Sequence, residues 1–161
     1  MNTYLLKRAR IDAEAGIEKA HFLNPRARRC NKSLGDLTGL TGFGFHLIEV
    51  KPGDWSTELH RHYYEDECVY MLAGVGTATI GDEQFAVAAG DFLAYPRGGP
   101  APTIQNTGDE LLRCIVVGER RSHDVGDYPN QNKRIYRNQG LPWNLVDIKD
   151  IETPEGGEKR S

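Results

Sequence analysis

The chain has 161 residues, of which 39% are hydrophobic, and a formal net charge of −3. This length accommodates one domain with a real core and is too short for two domains of ordinary size. The negative balance argues against a nucleic-acid partner, and the lack of a long apolar run or a signal-peptide pattern argues against a membrane partner or a processed precursor. Three widely spaced cysteines, Cys30, Cys68 and Cys114, match neither a disulfide framework nor a zinc finger, so we expect a cytoplasmic protein.

Residues 1–42 are predicted to form an N-terminal arm with edge segments. Residues 11–20 have only two large apolar side chains, so a helix there would be short and weakly amphipathic. The first 33 residues hold eight lysines and arginines against three acidic residues, most densely in the run Arg26-Ala27-Arg28-Arg29. We interpret this segment as a basic arm that docks on a partner subunit or stays solvated, because no nucleic-acid-binding signature accompanies it.

From residue 43 onward, short apolar segments alternate with clusters of Gly, Pro, Asp and Asn. Such spacing is typical of an antiparallel sandwich or barrel. No helical pattern lies between these segments, so parallel βαβ units are excluded. We therefore predict an all-β jelly roll over residues 43–118. The predicted strands cover residues 43–50, 58–63, 67–73, 76–80, 84–88, 91–95, 103–106 and 111–118.

Residues 119–161 are predicted to form a polar C-terminal extension. The sequence Asp127-Tyr128-Pro129-Asn130 indicates a turn, and residues 133–137 suggest a short edge strand. Residues 153–161 contain Pro, Gly and charged residues with nothing to bury, so we expect this end to be mobile.

Residues suited to metal binding concentrate between positions 60 and 67. His60 and His62 are two residues apart, so on an extended segment both imidazoles point to one face, with Cα atoms about 6 to 7 Å apart. Glu67 lies at an odd offset from His62, so it reaches that face only if a turn intervenes and the chain returns on an antiparallel strand. Two imidazole nitrogens and one carboxylate oxygen would then make a three-ligand face for a divalent metal.

The chain resembles the cupin superfamily in two motifs and in their flanks. The first motif is matched by Gly53, His60-x-His62, Glu67 and Gly74, with one extra residue between the glycine and the first histidine. The second is resembled by Gly90-Asp91, Pro96, Gly98 and Asn106. The flanking sequences Leu23-Asn24-Pro25 and Asp124-Val125-Gly126-Asp127-Tyr128-Pro129 are similar to those of a bacterial group of single-domain cupins.

This resemblance implies a double-stranded β-helix, commonly dimeric, in which the two histidines and the glutamate hold Fe, Mn, Ni or Zn inside the barrel mouth. The second cupin motif normally supplies a further histidine. Its position here is Ala101 or Pro102, depending on the direction of counting, and neither side chain can ligate a metal. The three remaining residues suffice for an open facial triad, or they belong to a pocket that has lost its metal.

Two residues on the predicted barrel wall, His46 and Met71, are further candidates for the pocket. If Glu49 faces solvent, alternation turns His46 toward the barrel, where it is either a core histidine or a substitute for the missing ligand. Met71 shares the face of Glu67 and is expected to line the cavity.

Four polar residues complete the predicted pocket. Thr103 and Gln105 lie on the segment that should have carried the missing histidine, so they are candidates for bonding to a ligand. Tyr64, in the turn after the histidines, and Arg97, in the loop at the mouth, are either solvated residues or contacts to a substrate.

Three functions remain open from the sequence. The first is a metal-binding cupin that acts on or senses a small polar metabolite, with sugar-phosphate isomerisation as the reaction that fits a metal-polarised oxygen. The second is a non-haem metal-dependent oxygenase at the facial triad. The third is a non-catalytic ligand-binding cupin whose homodimer is the functional unit.

Overall fold

The computed structural model describes residues 4–156. Within that range no helix is long and apolar enough to span a membrane. Residues 1–3 of the predicted arm, and residues 157–161 of the end expected to be mobile, lie outside the described residues. The elements in chain order are α1 (Arg8–Ala13), β1 (Ile17–His21), β2 (Asn24–Ser33), α2 (Leu34–Thr38), β3 (Phe43–Val50), β4 (Arg61–His62), β5 (Glu67–Ala73), β6 (Val75–Ile80), β7 (Glu83–Ala88), β8 (Phe92–Tyr95), β9 (Pro102–Gln105), β10 (Leu112–Glu119), β11 (His123–Tyr128), β12 (Lys133–Asn138) and β13 (Asn144–Asp147), with 3-10 turns at Pro129–Gln131 and Ile148–Asp150.

The strands form three antiparallel sheets that enclose a barrel. The largest sheet has the order β1-β2-β3-β10-β5-β8, the second β13-β12-β11-β4 and the third β7-β6-β9. Every strand pair is antiparallel. The predicted all-β jelly roll is confirmed, with β3 and β5 at their predicted bounds.

The segments on either side of residues 43–118 also contribute strands. Residues 24–33 were expected to be part of an arm, but they form β2, which pairs with β3. The inward positions of β2 are Ala27, Arg29 and Asn31, so this strand lacks the large apolar residues by which a strand is usually detected. After residue 118, β11 to β13 form the sheet that also contains β4.

The segment that carries the histidines is bound to the C-terminal region. The predicted strand over residues 58–63 shortens to β4, which pairs with β11 and not with β5. Around Asp127, Tyr63 Oη donates at 2.6 Å, Arg134 Nε at 2.6 Å and Arg61 Nη2 at 3.2 Å. Burial alone would raise the pKa of Asp127, but these hydrogen bonds outweigh it and hold the pKa at about 2. Glu67 does begin a strand after the turn, but this strand, β5, belongs to a different sheet from β4 and does not pair with it.

The apolar core follows the two-residue period of the strands. In β5, Val69 and Met71 are buried whereas Tyr70 and Leu72 are exposed. Some core residues also line a large polar cavity, so the core forms the floor of that cavity. The buried core comprises Ile48, Val50, Val69, Met71, Ala78, Val87, Leu93, Tyr95, Ile104, Leu112 and Cys114.

Substitutions at two neighbouring positions of β5 test this core. Met71→Ala should lower the free energy of unfolding by about 2–5 kcal/mol, because it leaves a void in a fully buried site. Leu72→Ala, at the next and exposed position, should cost less than about 1 kcal/mol. Urea unfolding followed by circular dichroism measures both, and equal losses would contradict the assigned faces of β5.

Candidate metal centre

A cavity of about 440 Å³ opens among the three sheets. Its floor is apolar, and its walls carry most of the titratable groups of the barrel interior. The polar and aromatic lining residues include His21, Arg29, Asn31, His46, His60, His62, Glu65, Glu67, Thr103, Arg120, Tyr128 and Arg137.

His60 and His62 face each other across a short gap within this cavity. Their Nε2 atoms are 3.1 Å apart, and the two rings are nearly perpendicular, at 82°. Both side chains lie on the same face of the extended segment, as their spacing predicts.

The other ring nitrogens determine which tautomer each histidine adopts. Nδ1 of His60 is 2.8 Å from the backbone carbonyl of Glu58, which can only accept, so this Nδ1 carries a proton. Nδ1 of His62 is 2.8 Å from the carboxylate of Asp124 and donates to it in the same way. Arg137 Nη2 is 3.4 Å from His62 Nδ1 but only 2.6 Å from Asp124, so the arginine bonds to the carboxylate. Each Nε2 atom therefore presents a lone pair to the other.

Two facing lone pairs at this distance repel each other, and a cation bound to both would relieve the repulsion. A proton on His60 is disfavoured, because burial and then the neighbouring His62 lower the pKa of His60 to about 3. A divalent ion fits, since two nitrogen ligands at right angles around an ion with bonds of about 2.1 Å lie about 3 Å apart. A histidine whose second nitrogen donates to a carboxylate is also the usual arrangement of a metal ligand. The residues present thus fit a metal at the His60 and His62 Nε2 atoms.

Behind His62 lies a buried network of opposite charges. Asp124 is 1% exposed and accepts from His62, from Arg137 and, through its other oxygen, from the backbone N–H of Tyr64 at 3.2 Å. Burial alone would raise the pKa of Asp124, but the hydrogen bonds from His62 and Arg137 hold it at about 2. Arg137 also bonds to Glu65, whose other oxygen accepts from the backbone N–H of Arg121 at 2.8 Å.

This network is a second group of metal-ligating residue types. Potential ligand atoms of His62, Glu65 and Asp124 all lie within 4.8 Å of one another. Arg137, however, already forms ion pairs with both of these carboxylates. We therefore interpret Asp124, Glu65 and Arg137 as the group that orients His62 and not as the ligand set itself.

Glu67 lines the same cavity from β5. Its side chain lies beside Gly118 of β10, and it has no hydrogen bond or ion pair with the described residues. Burial raises the pKa of Glu67 above its usual range. The Glu67 oxygens do not lie within 4.8 Å of the ligand atoms of both histidines. The ligand atoms of His62, Glu65 and Asp124, in contrast, all lie within that distance of one another. Glu67 is thus a partly buried carboxyl group that has no hydrogen-bond partner among the described residues.

The wall that should carry the missing histidine offers no metal ligand. Pro102 lines the cavity and Ala101 is buried. The Thr103 hydroxyl, next in sequence, donates to the backbone carbonyl of Thr57 at 2.7 Å. Asn106, the last residue of the second motif, is fully buried and donates to the carbonyls of Val50 and Glu110, both at 2.8 Å.

Of the other pocket candidates, His46 and Thr103 line the cavity. Nδ1 of His46 is 3.3 Å from the Asn31 side-chain amide, and burial, followed by the charge of Arg120, lowers the pKa of this histidine. A Cβ atom at position 44 would lie 2.6 Å from His46 Nε2, so Gly44 makes the room for the ring.

The remaining four candidates lie elsewhere. Met71 is enclosed in the core below the cavity floor. Tyr64 is largely exposed and packs against His123, with ring centroids 5.0 Å apart. Arg97 forms an ion pair with Asp66 at 2.9 Å, and Gln105 Nε2 is 3.4 Å from the Gly53 carbonyl, outside the cavity.

Sequence reasoning missed Arg29, Asp124 and Arg137. All three lie outside the two motifs, and no local pattern of alternation singles them out. The one available signal was the flanking resemblance over residues 124–129, which contains Asp124.

Comparison with known proteins identifies the family. Residues 46–118 match the cupin domain. The chain is 51% identical to a candidate sugar phosphate isomerase from Acidithiobacillus ferrooxidans, whose crystal structure matches with a TM-score of 0.91 over 94% of this chain and 97% of that one. The chain belongs to the cupin superfamily.

Two further relatives are more distant. An oxalate-binding protein of Thermotoga maritima is 29% identical over 101 residues, which are 63% of this chain and 74% of that protein. An uncharacterised protein of Methanocaldococcus jannaschii is 35% identical over 66 residues, 41% of this chain, so the matched part spans about half, 52%, of that relative's length.

The desolvation of His60 makes stability depend on pH in metal-free protein. His60 takes up a proton near pH 6.5 when unfolded but only near pH 3 when folded, so the unfolded state binds more protons between these values and stability falls as the pH is lowered. The titration of His60 lowers the free energy of unfolding by about 1.4 kcal/mol for each pH unit below pH ~6. Urea unfolding in the presence of a chelator, at several pH values from 7.5 to about 4.5, measures the slope.

Two variants isolate this effect. His60→Gln should reduce the slope by about one proton, while the part due to other buried histidines, such as His46, persists. His123→Gln, at an exposed histidine that bonds to Asn138, should keep the full slope. An unchanged slope in His60→Gln would contradict the buried, neutral state of His60.

Proposed function

We propose that this protein is a metal-dependent cupin that isomerises a sugar phosphate inside its barrel. The observation that carries the proposal is the pair of Nε2 lone pairs that converge at 3.1 Å in the cavity. The reaction type is suggested by the 51% identity to a candidate sugar phosphate isomerase, since the match covers 97% of that protein. The cavity volume lies within the range of about 300–1,000 Å³ that is common for small-molecule sites.

In this proposal His60 and His62 would hold the metal, and the Glu67 side chain, which lies farther away in this structure, would move toward them to provide the third ligand. A bound divalent ion supplies Lewis-acid polarisation of a substrate carbonyl or hydroxyl oxygen. Asp124 keeps the His62 proton on Nδ1, and Arg137 keeps Asp124 charged, so the ligand nitrogen stays directed into the cavity. The Glu58 carbonyl does the same for His60.

Glu67 also suits a second role, because a buried carboxyl group with a raised pKa can carry a proton between substrate carbons. We assign it as a ligand because it lacks any other partner among the described residues and lines the same cavity as the histidines.

Metal analysis of the purified protein tests the proposal first. Protein expressed with supplemented divalent metals should contain about one equivalent, whereas His60→Ala and His62→Ala should each lower the content at least about tenfold, since each loses one of few ligands. His123→Ala is the matched control and should bind as the wild type does. Equal metal contents in all four proteins would contradict the proposed centre.

Activity assays separate the candidate functions. The metal-loaded protein should interconvert an aldose phosphate and its ketose isomer, and His62→Ala should lose this activity. Substrate-dependent oxygen uptake without isomerisation would replace the proposal by an oxygenase. In Glu67→Gln we expect reduced metal content; full metal content with lost turnover would make Glu67 the proton carrier instead.

We also propose that the chain forms a homodimer in a reducing cytoplasm. The three cysteines are free thiols, which agrees with that compartment. Tyr70 of β5 and Phe92 of β8 are neighbours in register on the outer face of the sheet and are 45% and 64% exposed, so they form an apolar surface suited to a second copy. Sedimentation velocity at micromolar concentration should show a dimer that Phe92→Ser weakens, and a wild-type monomer would refute this assembly.

A further inference from the structure

The arginines of the basic run Arg26-Ala27-Arg28-Arg29 point to opposite faces of β2, the strand that contains them. In β2 the alternation turns Arg29 inward, between the buried residues Ala27 and Asn31, and turns Arg28 outward. Arg29 lines the cavity, whereas Arg28 forms an ion pair with Asp54 at 3.0 Å on the outside. A segment that the sequence suggested as a docking arm thus delivers one cation to the barrel interior.

Arg29 has few partners there. One terminal nitrogen, Nη1, donates to the backbone carbonyl of Ser56, and the buried Nε has no hydrogen-bond partner. No carboxylate of the described residues lies within 4.0 Å of its guanidinium group. The other two arginines of the cavity lining differ, because Arg120 pairs with Asp36 at 2.6 Å and Arg137 pairs with Asp124 at 2.6 Å.

An unpaired buried cation is costly to keep, and arginine does not lose its proton to avoid that cost. Its planar fork offers parallel N–H donors that match two oxygens of one anion. Glu67 is the acidic neighbour whose charge acts on Arg29, but the two groups form no ion pair. The Arg29 guanidinium group therefore offers N–H donors and a positive charge, and no anionic group of the described residues pairs with it.

Arg29 is also coupled to the histidine pair. The backbone carbonyls that hold Arg29 Nη1 and His60 Nδ1 belong to Ser56 and Glu58, two residues apart on one loop. An anion at Arg29 would thus lie in the same cavity as the proposed metal.

We propose that Arg29 anchors the oxyanion group, a phosphate or a carboxylate, of the small molecule that enters this cavity. The assignment deepens the proposed function and rests on it for the position of the reacting end, but the anion site itself needs no metal. Arg29 is thus a binding residue, and the histidine pair would hold the metal that acts on the other end of the ligand.

Calorimetric titration with inorganic phosphate tests the anchor, using the full chain as purified and chloride at matched ionic strength as the reference. The wild type should bind one phosphate, and Arg29→Met should raise the Kd at least about tenfold, the loss expected for a charge-assisted bond. Arg28→Met, on the outer face of the same strand, should change the Kd less than twofold. Equal weakening in both variants would show a general electrostatic effect and overturn the proposal.

Further arms identify the anion and the role of the metal. An acetate titration distinguishes the sources: tighter binding of acetate assigns a carboxylate, and tighter binding of phosphate assigns a phosphate group. Binding of neither anion at tens of millimolar overturns the anchor. Binding should persist after chelation and in His62→Ala, so it survives even if the metal-dependent function fails; loss of binding on chelation would place the anion on a metal and refute the role of Arg29.

A structural role for Arg29 gives a different result. A lowered melting temperature of Arg29→Met with an unchanged phosphate Kd would assign Arg29 to folding and overturn the proposal. If Arg29→Met does not fold, Arg29→Lys keeps the charge but not the fork and should still weaken phosphate binding about threefold or more. An unchanged affinity in Arg29→Lys would equally count against the anchor.

Discussion

The hydrogen bond from His62 to Asp124 is the interaction on which the site depends. It decides which nitrogen of His62 faces the cavity, and it joins the histidine segment of the barrel to β11. Asp124 accepts this bond most strongly while it is charged, and Arg137 of β12 helps to keep it so. The candidate site of the cupin barrel is therefore formed partly by residues beyond the cupin domain match, which ends at residue 118. A truncated barrel would keep both histidines and lose the groups that orient them.

Much of the cavity is unfavourable for folding taken alone. Two lone pairs face each other at 3.1 Å, the partly buried Glu67 has no partner among the described residues, and the Nε of Arg29 makes no hydrogen bond. Each of these groups would be better satisfied by solvent or by a partner of opposite charge. The apolar floor and the antiparallel sheets stabilise the barrel enough to retain them. Local arrangements that oppose folding without an evident structural benefit tend to occur at functional sites. A cation at the histidines and an anion at Arg29 would relieve both parts of the conflict.

The sequence was most informative where a short-range rule applies. Alternation and turn residues predicted β3 and β5 at their observed bounds, and the spacing of His60 and His62 placed both rings on one face. It failed where pairing is non-local. The partner of β4 is β11, more than 60 residues away, and no sequence feature near His62 indicates that pairing. The strand at residues 24–33 was not recognised for another reason: β2 turns Arg29 and Asn31 inward, so a polar interior position resembled a solvated one in the sequence. Polar residues that point into the barrel are a feature of the candidate site. A search for apolar residues at inward positions therefore does not detect β2.

The central claim is that the metal position lies between the Nε2 atoms of His60 and His62 and not within the His62, Glu65 and Asp124 group. Anomalous diffraction from crystals of the zinc-loaded protein measures this most directly. The account predicts one peak about 2.1 Å from both Nε2 atoms, with Arg137 still bonded to Asp124. A peak among the Glu65 and Asp124 oxygens with Arg137 displaced, or no peak in the cavity, would contradict it.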